Sequence, residues 1–163
     1  MTPERLGSFE ITETLGEGGS AVVYAAKDGD REVALKVLRE DVGLDAREVD
    51  RFLEEAETMR RVKHPALVPV LRAGLLPGGR PYIAMPRLRG STLATRLEGG
   101  PIPIRRAIEL FDGIAGAVQM LHEASLVHRD IKPENVFWLE DEDRLVLLDL
   151  GIARDASGLP STT

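Results

Sequence analysis

A glycine-rich stretch near the N-terminus could bind phosphate groups. It runs from Gly16 to Ser20 and stands between two strand-like segments, FEITETL and AVVYAAK. A dinucleotide-binding turn is excluded because it needs a helix after the glycines, and a P-loop is excluded because Gly-Lys-Ser/Thr is absent. Taken alone, the stretch is most simply an ordinary flexible turn. The chemistry that it fits is a hairpin whose backbone N–H groups point at the oxygens of a polyphosphate.

Lys36 could supply a positive charge for the same phosphates. It lies within the apolar segment EVALKVL, where a lysine can equally be a solvent-facing residue of an edge strand. An inward-facing Lys36 would need a carboxylate to hold it. A predicted amphipathic helix over residues 45–62 offers three glutamates, of which Glu54 and Glu57 can belong to its solvated face. Glu55 is therefore the best-placed partner.

The strongest chemical signal is the segment HRDIKPEN, from His128 to Asn135, followed by Asp149-Leu150-Gly151 at the end of a predicted strand. Six of the eight residues of HRDIKPEN are polar, and they form one loop between a helix and a strand. An ordinary turn has little use for such a set, so we interpret the loop as a site of chemistry. The three histidines are scattered and cysteine is absent. A metal here would therefore be a hard cation with oxygen ligands.

The overall composition excludes several classes of protein. The chain has 163 residues, of which 43% are hydrophobic and 29% charged, with a net charge of −6. This balance is typical of a folded globular protein rather than a disordered one. The absence of a long Lys/Arg run argues against a nucleic-acid partner. No apolar run approaches the roughly 18 residues that span a bilayer, and the N-terminus lacks a signal-peptide core. We therefore expect no membrane partner and a cytoplasmic location.

The periodicity of apolar residues divides the chain into a β-rich part and a helical part. The first third predicts an antiparallel meander of three strands, and the helix over 45–62 is followed by strands at 67–73 and 81–85. Residues 86–90 have neither period and are interpreted as a connector. Beyond it we expect a short helix capped by Ser91, a longer helix over 104–123, and strands over 136–139 and 144–150.

In this order, the motifs resemble those of protein kinases, and the resemblance covers Phe9 to Arg154. HRDIKPEN is similar to the kinase catalytic loop, and residues 149–151 resemble the magnesium-binding Asp-Phe-Gly with leucine in place of phenylalanine. Residues 16–23 match the glycine-rich loop, except that Ala21 replaces its third glycine. Residues 33–36 (VALK) match the strand that holds the phosphate lysine. The style of these motifs is most similar to that of bacterial serine/threonine kinases of the eukaryotic (Hanks) type.

The resemblance implies an α+β fold of two lobes. Residues 1–85 would form the β-rich N-lobe with its one helix, residues 86–90 the hinge, and residues 91–163 part of a helical C-lobe. The sequence ends within the stretch that corresponds to the activation segment, so we expect a catalytic domain truncated there. The later helices of the large lobe would then be absent. We expect a partner, or a further C-terminal segment, to cover the apolar C-lobe face that their absence exposes.

The resemblance also implies transfer of the γ-phosphoryl group of ATP, with Mg²⁺, to a serine or threonine hydroxyl of a protein. Asp130 would align that hydroxyl and Lys132 would neutralise the γ-phosphoryl oxygens. Lys36, oriented by Glu55, would hold the α- and β-phosphates, and Asn135 and Asp149 would bind magnesium. The residues expected to contact the bound nucleotide are Leu15, Gly16, Glu17, Gly18, Gly19, Ser20, Val23, Ala34, Lys36, Met85, Pro86, Leu88, Asn135, Phe137 and Asp149.

Catalytic groups without their supporting helices would be poorly positioned, and positioning supplies several kcal/mol of rate enhancement. We therefore expect weak or no activity from this chain alone. The alternative interpretation is a nucleotide-binding or docking module, or one half of a split kinase, that transfers no phosphate by itself.

Overall fold

The computed structural model describes residues 4–18, 21–39 and 46–148, apart from the side chains of Glu48, Arg51 and Glu55. Four predicted site features lie outside the described residues: Gly19, Ser20, Asp149 and the side chain of Glu55. Among the helices of the described ranges, none is long and apolar enough to cross a membrane.

The first half of the chain forms a six-stranded antiparallel sheet. Its strands occur in the spatial order β1-β2-β3-β4-β6-β5. The alternation of apolar residues places one face of the sheet against a core that includes Phe9, Leu35 and Tyr82. The meander of three strands predicted for the first third is confirmed as β2, β3 and β4. The strand bounds are β1 Arg5–Leu6, β2 Phe9–Glu17, β3 Ala21–Asp28, β4 Arg31–Leu38, β5 Arg72–Leu75 and β6 Pro81–Pro86.

Helix α1, Ala46–Arg61, packs against β5 and β6. It is amphipathic, since Phe52, Ala56 and Met59 recur at helical spacing and are buried in the main core. The helix ends just before Lys63-His64-Pro65, where the proline disfavours a helical conformation of the residue that precedes it. The predicted range of 45–62 is thus one residue too long at its C-terminal end, while its first residue, Asp45, lies outside the described residues.

The second half begins with a short strand and two helices and ends in a hairpin. Strands β7, β8 and β9 form a three-stranded antiparallel sheet in that order. Helix α3 places its buried stripe of Leu110, Ile114, Ala117 and Leu121 in a core shared with Val136 and Leu147. The element bounds are β7 Gly90–Thr92, α2 Leu93–Glu98, α3 Ile104–Glu123, a 3-10 turn at Pro133–Asn135, β8 Val136–Leu139 and β9 Arg144–Leu147.

Two local predictions are wrong. The cap of α2 is Thr92 rather than Ser91, because the helix begins at Leu93 and the Thr92 hydroxyl accepts the backbone N–H of Thr95 at 3.2 Å. The strand predicted over 67–73 begins only at Arg72. The residues from Ala66 to Val68 bind β9 instead: Leu147 donates its N–H to the carbonyl of Ala66, and Val68 donates to the carbonyl of Leu147.

One side of α3 carries an uncovered apolar stripe. Ile104, Ile108 and Phe111 follow one another at spacings of four and three residues and are 74%, 65% and 40% exposed. Residues at this spacing lie on one face of a helix. Within the described part of the chain, this face therefore presents three large apolar side chains to solvent.

Candidate active site

A cleft of about 990 Å³, the main cleft, lies between the six-stranded sheet and the three-stranded sheet. Every predicted site residue whose side chain the structure describes lines it. These residues are Leu15, Gly16, Glu17, Gly18, Val23, Ala34, Lys36, Met85, Pro86, Leu88, Asp130, Lys132, Asn135 and Phe137. Residues as far apart in sequence as Leu15 and Phe137 therefore meet around one space.

The glycine-rich hairpin borders the main cleft where β2 and β3 approach their turn. Glu17 pairs with Val22, and Gly18 donates its N–H to the carbonyl of Ala21 at 2.8 Å. A Cβ atom added at Gly16 would meet nothing within 4 Å, so this backbone borders open space. The absence of a side chain lets a bound group approach the main chain closely.

Lys36 faces inward from an interior strand. Strand β4 lies between β3 and β6, and Lys36 is opposite Val23 on one side and Ile83 on the other. The residue is only 6% exposed. These observations exclude the solvent-facing edge lysine that the sequence left open. A buried ammonium group is costly unless anions or polar groups surround it, so its position favours a role in binding negative charge.

Glu54 and Glu57, which flank Glu55 on α1, were predicted to belong to the solvated face of the helix, and their surroundings agree with this. Glu54 is exposed. Glu57 accepts bonds from the guanidinium of Arg60 at 2.8 and 2.9 Å. Hydrogen bonding to Arg60 lowers the pKa of the Glu57 carboxyl. The pairing of Glu55 with Lys36 stays a prediction, because the Glu55 side chain lies outside the described residues.

Asp130 is the centre of a compact polar cluster. Its Oδ2 lies 3.1 Å from the ammonium of Lys132 and accepts the amide Nδ2 of Asn135 at 2.7 Å. The same Nδ2 also donates to the Asp130 carbonyl at 2.9 Å. Both amide hydrogens of Asn135 are thus directed at Asp130. The amide oxygen of Asn135, Oδ1, remains as the atom that can ligate a cation.

His128 fixes the backbone of this loop to the end of β9. Its imidazole is 2% exposed, and its Nε2 lies 2.8 Å from the carbonyl of Leu148. Because a carbonyl only accepts, Nε2 carries the proton, which leaves Nδ1 to accept the N–H of Asp130 at 3.4 Å. Arg129, between them, has a φ of +62° and forms the sharp bend. His128 therefore positions Asp130 through its main chain.

Replacing His128 by alanine should lower the free energy of unfolding by about 3 kcal/mol, since it opens a cavity and deprives a carbonyl of its donor. Urea unfolding followed by circular dichroism measures this. His122→Ala is the matched control because His122 is exposed on α3, and it should change stability by less than about 0.5 kcal/mol. Equal losses in the two variants would contradict the positioning role.

The connector between the sheets closes the main cleft on one side. Ala34 pairs with Met85 and Val33 with Pro86, after which the chain leaves the sheet. Pro86 has no backbone N–H to donate. The prediction therefore assigns the backbone donor of this segment to Leu88. Arg87 reaches across to Glu13 at 3.0 Å and Glu32 at 3.9 Å, and so ties the connector to β2 and β4.

Sequence reasoning missed several residues of the cleft wall. The most deeply buried of them is Val68, whose segment was expected to be a strand of the sheet. Alternating apolar residues in LVPVLRA were its only signal, and they do not show which face borders the cleft. The other unpredicted lining residues include Glu32, Arg87, Arg89, Gly90, Thr92, Glu134 and Leu148. In the part of the chain that is described, no group of three or more His, Asp or Glu could hold a metal.

Comparisons with known proteins agree with this geometry. The protein kinase domain family matches residues 9–163. Among curated proteins, the serine/threonine-protein kinase PknK of Mycobacterium tuberculosis is 40% identical over 159 residues, which cover 95% of this chain and 14% of PknK. The DNA damage-responsive serine/threonine-protein kinase RqkA of Deinococcus radiodurans is 41% identical over 160 residues, covering 93% of this chain and 23% of RqkA. The chain thus spans less than a quarter of either relative.

Solved structures show the same architecture. The crystal structure of the Mycobacterium tuberculosis PknI kinase domain superposes with a TM-score of 0.81 at 26% identity, over 94% of this chain and 63% of that one. The α+β kinase fold that the motifs indicated is thereby confirmed. Because the family match extends from β2 to the last residue, the chain belongs to the protein kinase family. The relatives named above are bacterial serine/threonine-protein kinases.

Proposed function

We propose that this chain carries the catalytic machinery of a serine/threonine protein kinase that transfers the γ-phosphoryl group of ATP to a protein hydroxyl. The observation that carries the proposal is the convergence on one cleft of the Asp130 cluster, the buried Lys36 and the open backbone of the glycine-rich hairpin. As in the prediction, we take residues 1–85 as the N-lobe, 86–90 as the hinge and 91–163 as part of the C-lobe. A cytoplasmic location is part of this proposal.

The shape and chemistry of the main cleft fit a nucleotide. Its volume of about 990 Å³ falls at the upper end of the range of small-molecule sites. Val23 and Ala34 would contact the adenine ring from the N-lobe side and Phe137 from the other, while the N–H of Leu88 would donate to its edge. Gly16 and Gly18 leave room for phosphates, and Lys36 supplies their countercharge.

The Asp130 cluster would act on the protein substrate. The carboxylate of Asp130 accepts the hydrogen bond of the attacking hydroxyl and holds it in line for attack. The ammonium of Lys132, already 3.1 Å from that carboxylate, neutralises charge at the transferred group. Asn135, through Oδ1, and Asp149 would hold the magnesium ion. When bound, the ion supplies positive charge to the phosphate oxygens.

We further propose that the 163-residue polypeptide alone has little or no transfer activity. It covers 63% of the PknI kinase-domain chain, and the apolar stripe of α3 (Ile104, Ile108 and Phe111) is uncovered in the described residues. A partner or a further segment of chain would cover this stripe and support the Asp130 loop. The second candidate function, a nucleotide-binding or docking module without transfer, is favoured by this same uncovered face.

Phosphate incorporation from radiolabelled MgATP tests the proposal. The protein as it occurs in its cell and the isolated 163-residue chain are each assayed on themselves and on a generic basic protein, beside the Lys36→Met variant of each. We expect incorporation by the native protein and its loss in the variant, because methionine keeps the volume of Lys36 but removes its charge. MgATP affinity, measured by calorimetry, should fall roughly tenfold in the variant.

Lys27→Met is the matched control, since Lys27 is exposed on β3 and does not line the main cleft. It should retain both incorporation and affinity. Incorporation that persists in Lys36→Met would contradict the proposed role of Lys36. Tight MgATP binding by the native protein without any incorporation would favour the binding module instead.

A further inference from the structure

A second cleft, of about 640 Å³, shares the connector at residues 86–89 with the main cleft. We call it the back cleft. Its walls come from the loop that follows α1, from the connector at residues 86–89, and from the turn between β8 and β9. Its lining residues are Val62, Lys63, His64, Pro65, Leu67, Val68, Pro69, Pro86, Arg87, Leu88, Arg89, Leu139, Asp141, Glu142, Arg144 and Val146.

The walls of the back cleft are held together by bonds between distant segments. Arg144 donates to the carbonyl of Pro65, and the backbone bonds of Leu147 with Ala66 and Val68 attach the same loop to β9. The imidazole Nδ1 of His64 accepts the N–H of Ala66 at 3.1 Å. The cleft is therefore preformed, so a ligand would lose little free energy in ordering its walls.

The charge of the back cleft is opposite to that of the chain. Four cationic residues line it against two acidic ones, Asp141 and Glu142, whereas the whole chain carries a net charge of −6. Arg87 and Arg144 are engaged, with Glu13 and with Glu142 respectively. Lys63 and Arg89 form no ion pair with any described residue and are both exposed. Two cations at the rim of a partly apolar cleft complement a ligand that is both acidic and apolar.

We propose that the back cleft is a docking site for an extended acidic peptide segment in which carboxylates alternate with apolar side chains. In an extended segment, alternate side chains point to opposite sides. One set would contact Val68, Leu139 and Val146 on the floor, and the carboxylates would approach Lys63 and Arg89. The volume is within the range of built ligand sites but too small for a folded partner.

Docking there would act on the main cleft through a shared wall. Val68, Pro86, Arg87, Leu88 and Arg89 line both clefts. A peptide in the back cleft thus contacts the same segment that we propose to hold adenine. We expect the bound peptide to change MgATP affinity without competing for its site. This consequence rests on the proposed function, whereas the docking itself does not.

Fluorescence anisotropy of the native protein with a labelled six-residue peptide of alternating glutamate and leucine tests the docking. We expect saturable binding that weakens with added salt. In Lys63→Glu the dissociation constant should rise roughly tenfold, because a like charge then faces the carboxylates. Lys63 does not line the main cleft, so this variant separates docking from nucleotide binding. Arg105→Glu, an equal charge change at an exposed residue of α3, should bind as the native protein does.

Three outcomes would overturn the docking site: equal weakening in the Lys63 and Arg105 variants, equal affinity for a peptide with glutamine in place of glutamate, or displacement of the peptide by MgATP. Binding to anionic lipid vesicles in the absence of peptide binding would assign the cleft to a membrane surface and would also overturn it. Peptide binding that persists in a protein without phosphate incorporation would leave the docking intact and reject only the proposed kinase activity.

Discussion

Replacing Asp130 by asparagine should slow phosphoryl transfer by about a thousandfold, within the range that a positioned acid–base group contributes. The asparagine side chain has almost the same size but carries no charge, so it is a weaker acceptor for a substrate hydroxyl. It also ends the ion pair with Lys132. The rate constant for transfer to a protein substrate, measured under saturating MgATP and compared between the Asp130→Asn variant and the unsubstituted protein, reports this change.

The affinity for MgATP should change by less than about twofold in the same variant, because Asp130 is proposed to act in the transition state rather than in binding. Asp112→Asn is the matched control: Asp112 is exposed on α3 and does not line the main cleft. A rate loss below about tenfold would contradict the role of Asp130. Parallel losses of rate and MgATP affinity would instead assign Asp130 to nucleotide binding.

The parts of the fold that the sequence predicts well are those set by local periodicity. Helix α3 has the predicted bounds of 104–123, because an apolar residue recurs every three or four positions and Gly99-Gly100-Pro101 separates it from α2. Strand β8 likewise has its predicted bounds of 136–139. The grouping of Lys36 with the Asp130 loop was also expected, but from motif order, since no local pattern shows that residues so distant will meet.

What the sequence did not predict depends on contacts between distant segments. Leu67 forms a parallel bridge with Leu147 rather than joining β5, and local alternation cannot distinguish these pairings. Ser91 and Thr92 are both good caps, and both pair with β8; Thr92 is the cap because α2 begins at Leu93, next to it, and the Thr92 hydroxyl accepts the N–H of Thr95. The back cleft forms where the loop after α1, the connector and the β8–β9 turn meet. The sequence of any one of these segments therefore does not predict the cationic rim of the cleft.

Replacing Gly90 by alanine should lower the free energy of unfolding by roughly 3–5 kcal/mol. Gly90 has a φ of +141°, a conformation that residues with a side chain rarely adopt. A Cβ atom at this position would lie 2.0 Å from the carbonyl oxygen of Trp138 and 3.1 Å from the ring of Phe137. Because the first obstacle is main chain of the paired strand β8, no side-chain rotation relieves it. Thermal unfolding should shift downward by roughly 10 °C.

Gly29→Ala distinguishes the clash from the backbone conformation. Gly29 has a φ of +63° in the turn between β3 and β4, and a Cβ atom there would meet nothing within 4 Å. Its replacement should cost about 1 kcal/mol, the penalty of the left-handed conformation alone. A similar loss at both positions would show that β7 can move away from β8 at little cost. A much larger loss at Gly90 would mean that the close contact with β8 requires a glycine there. Gly90 would then fix the distance between the connector and the β8–β9 hairpin. That distance also sets the spacing of Leu88 and Phe137 across the main cleft.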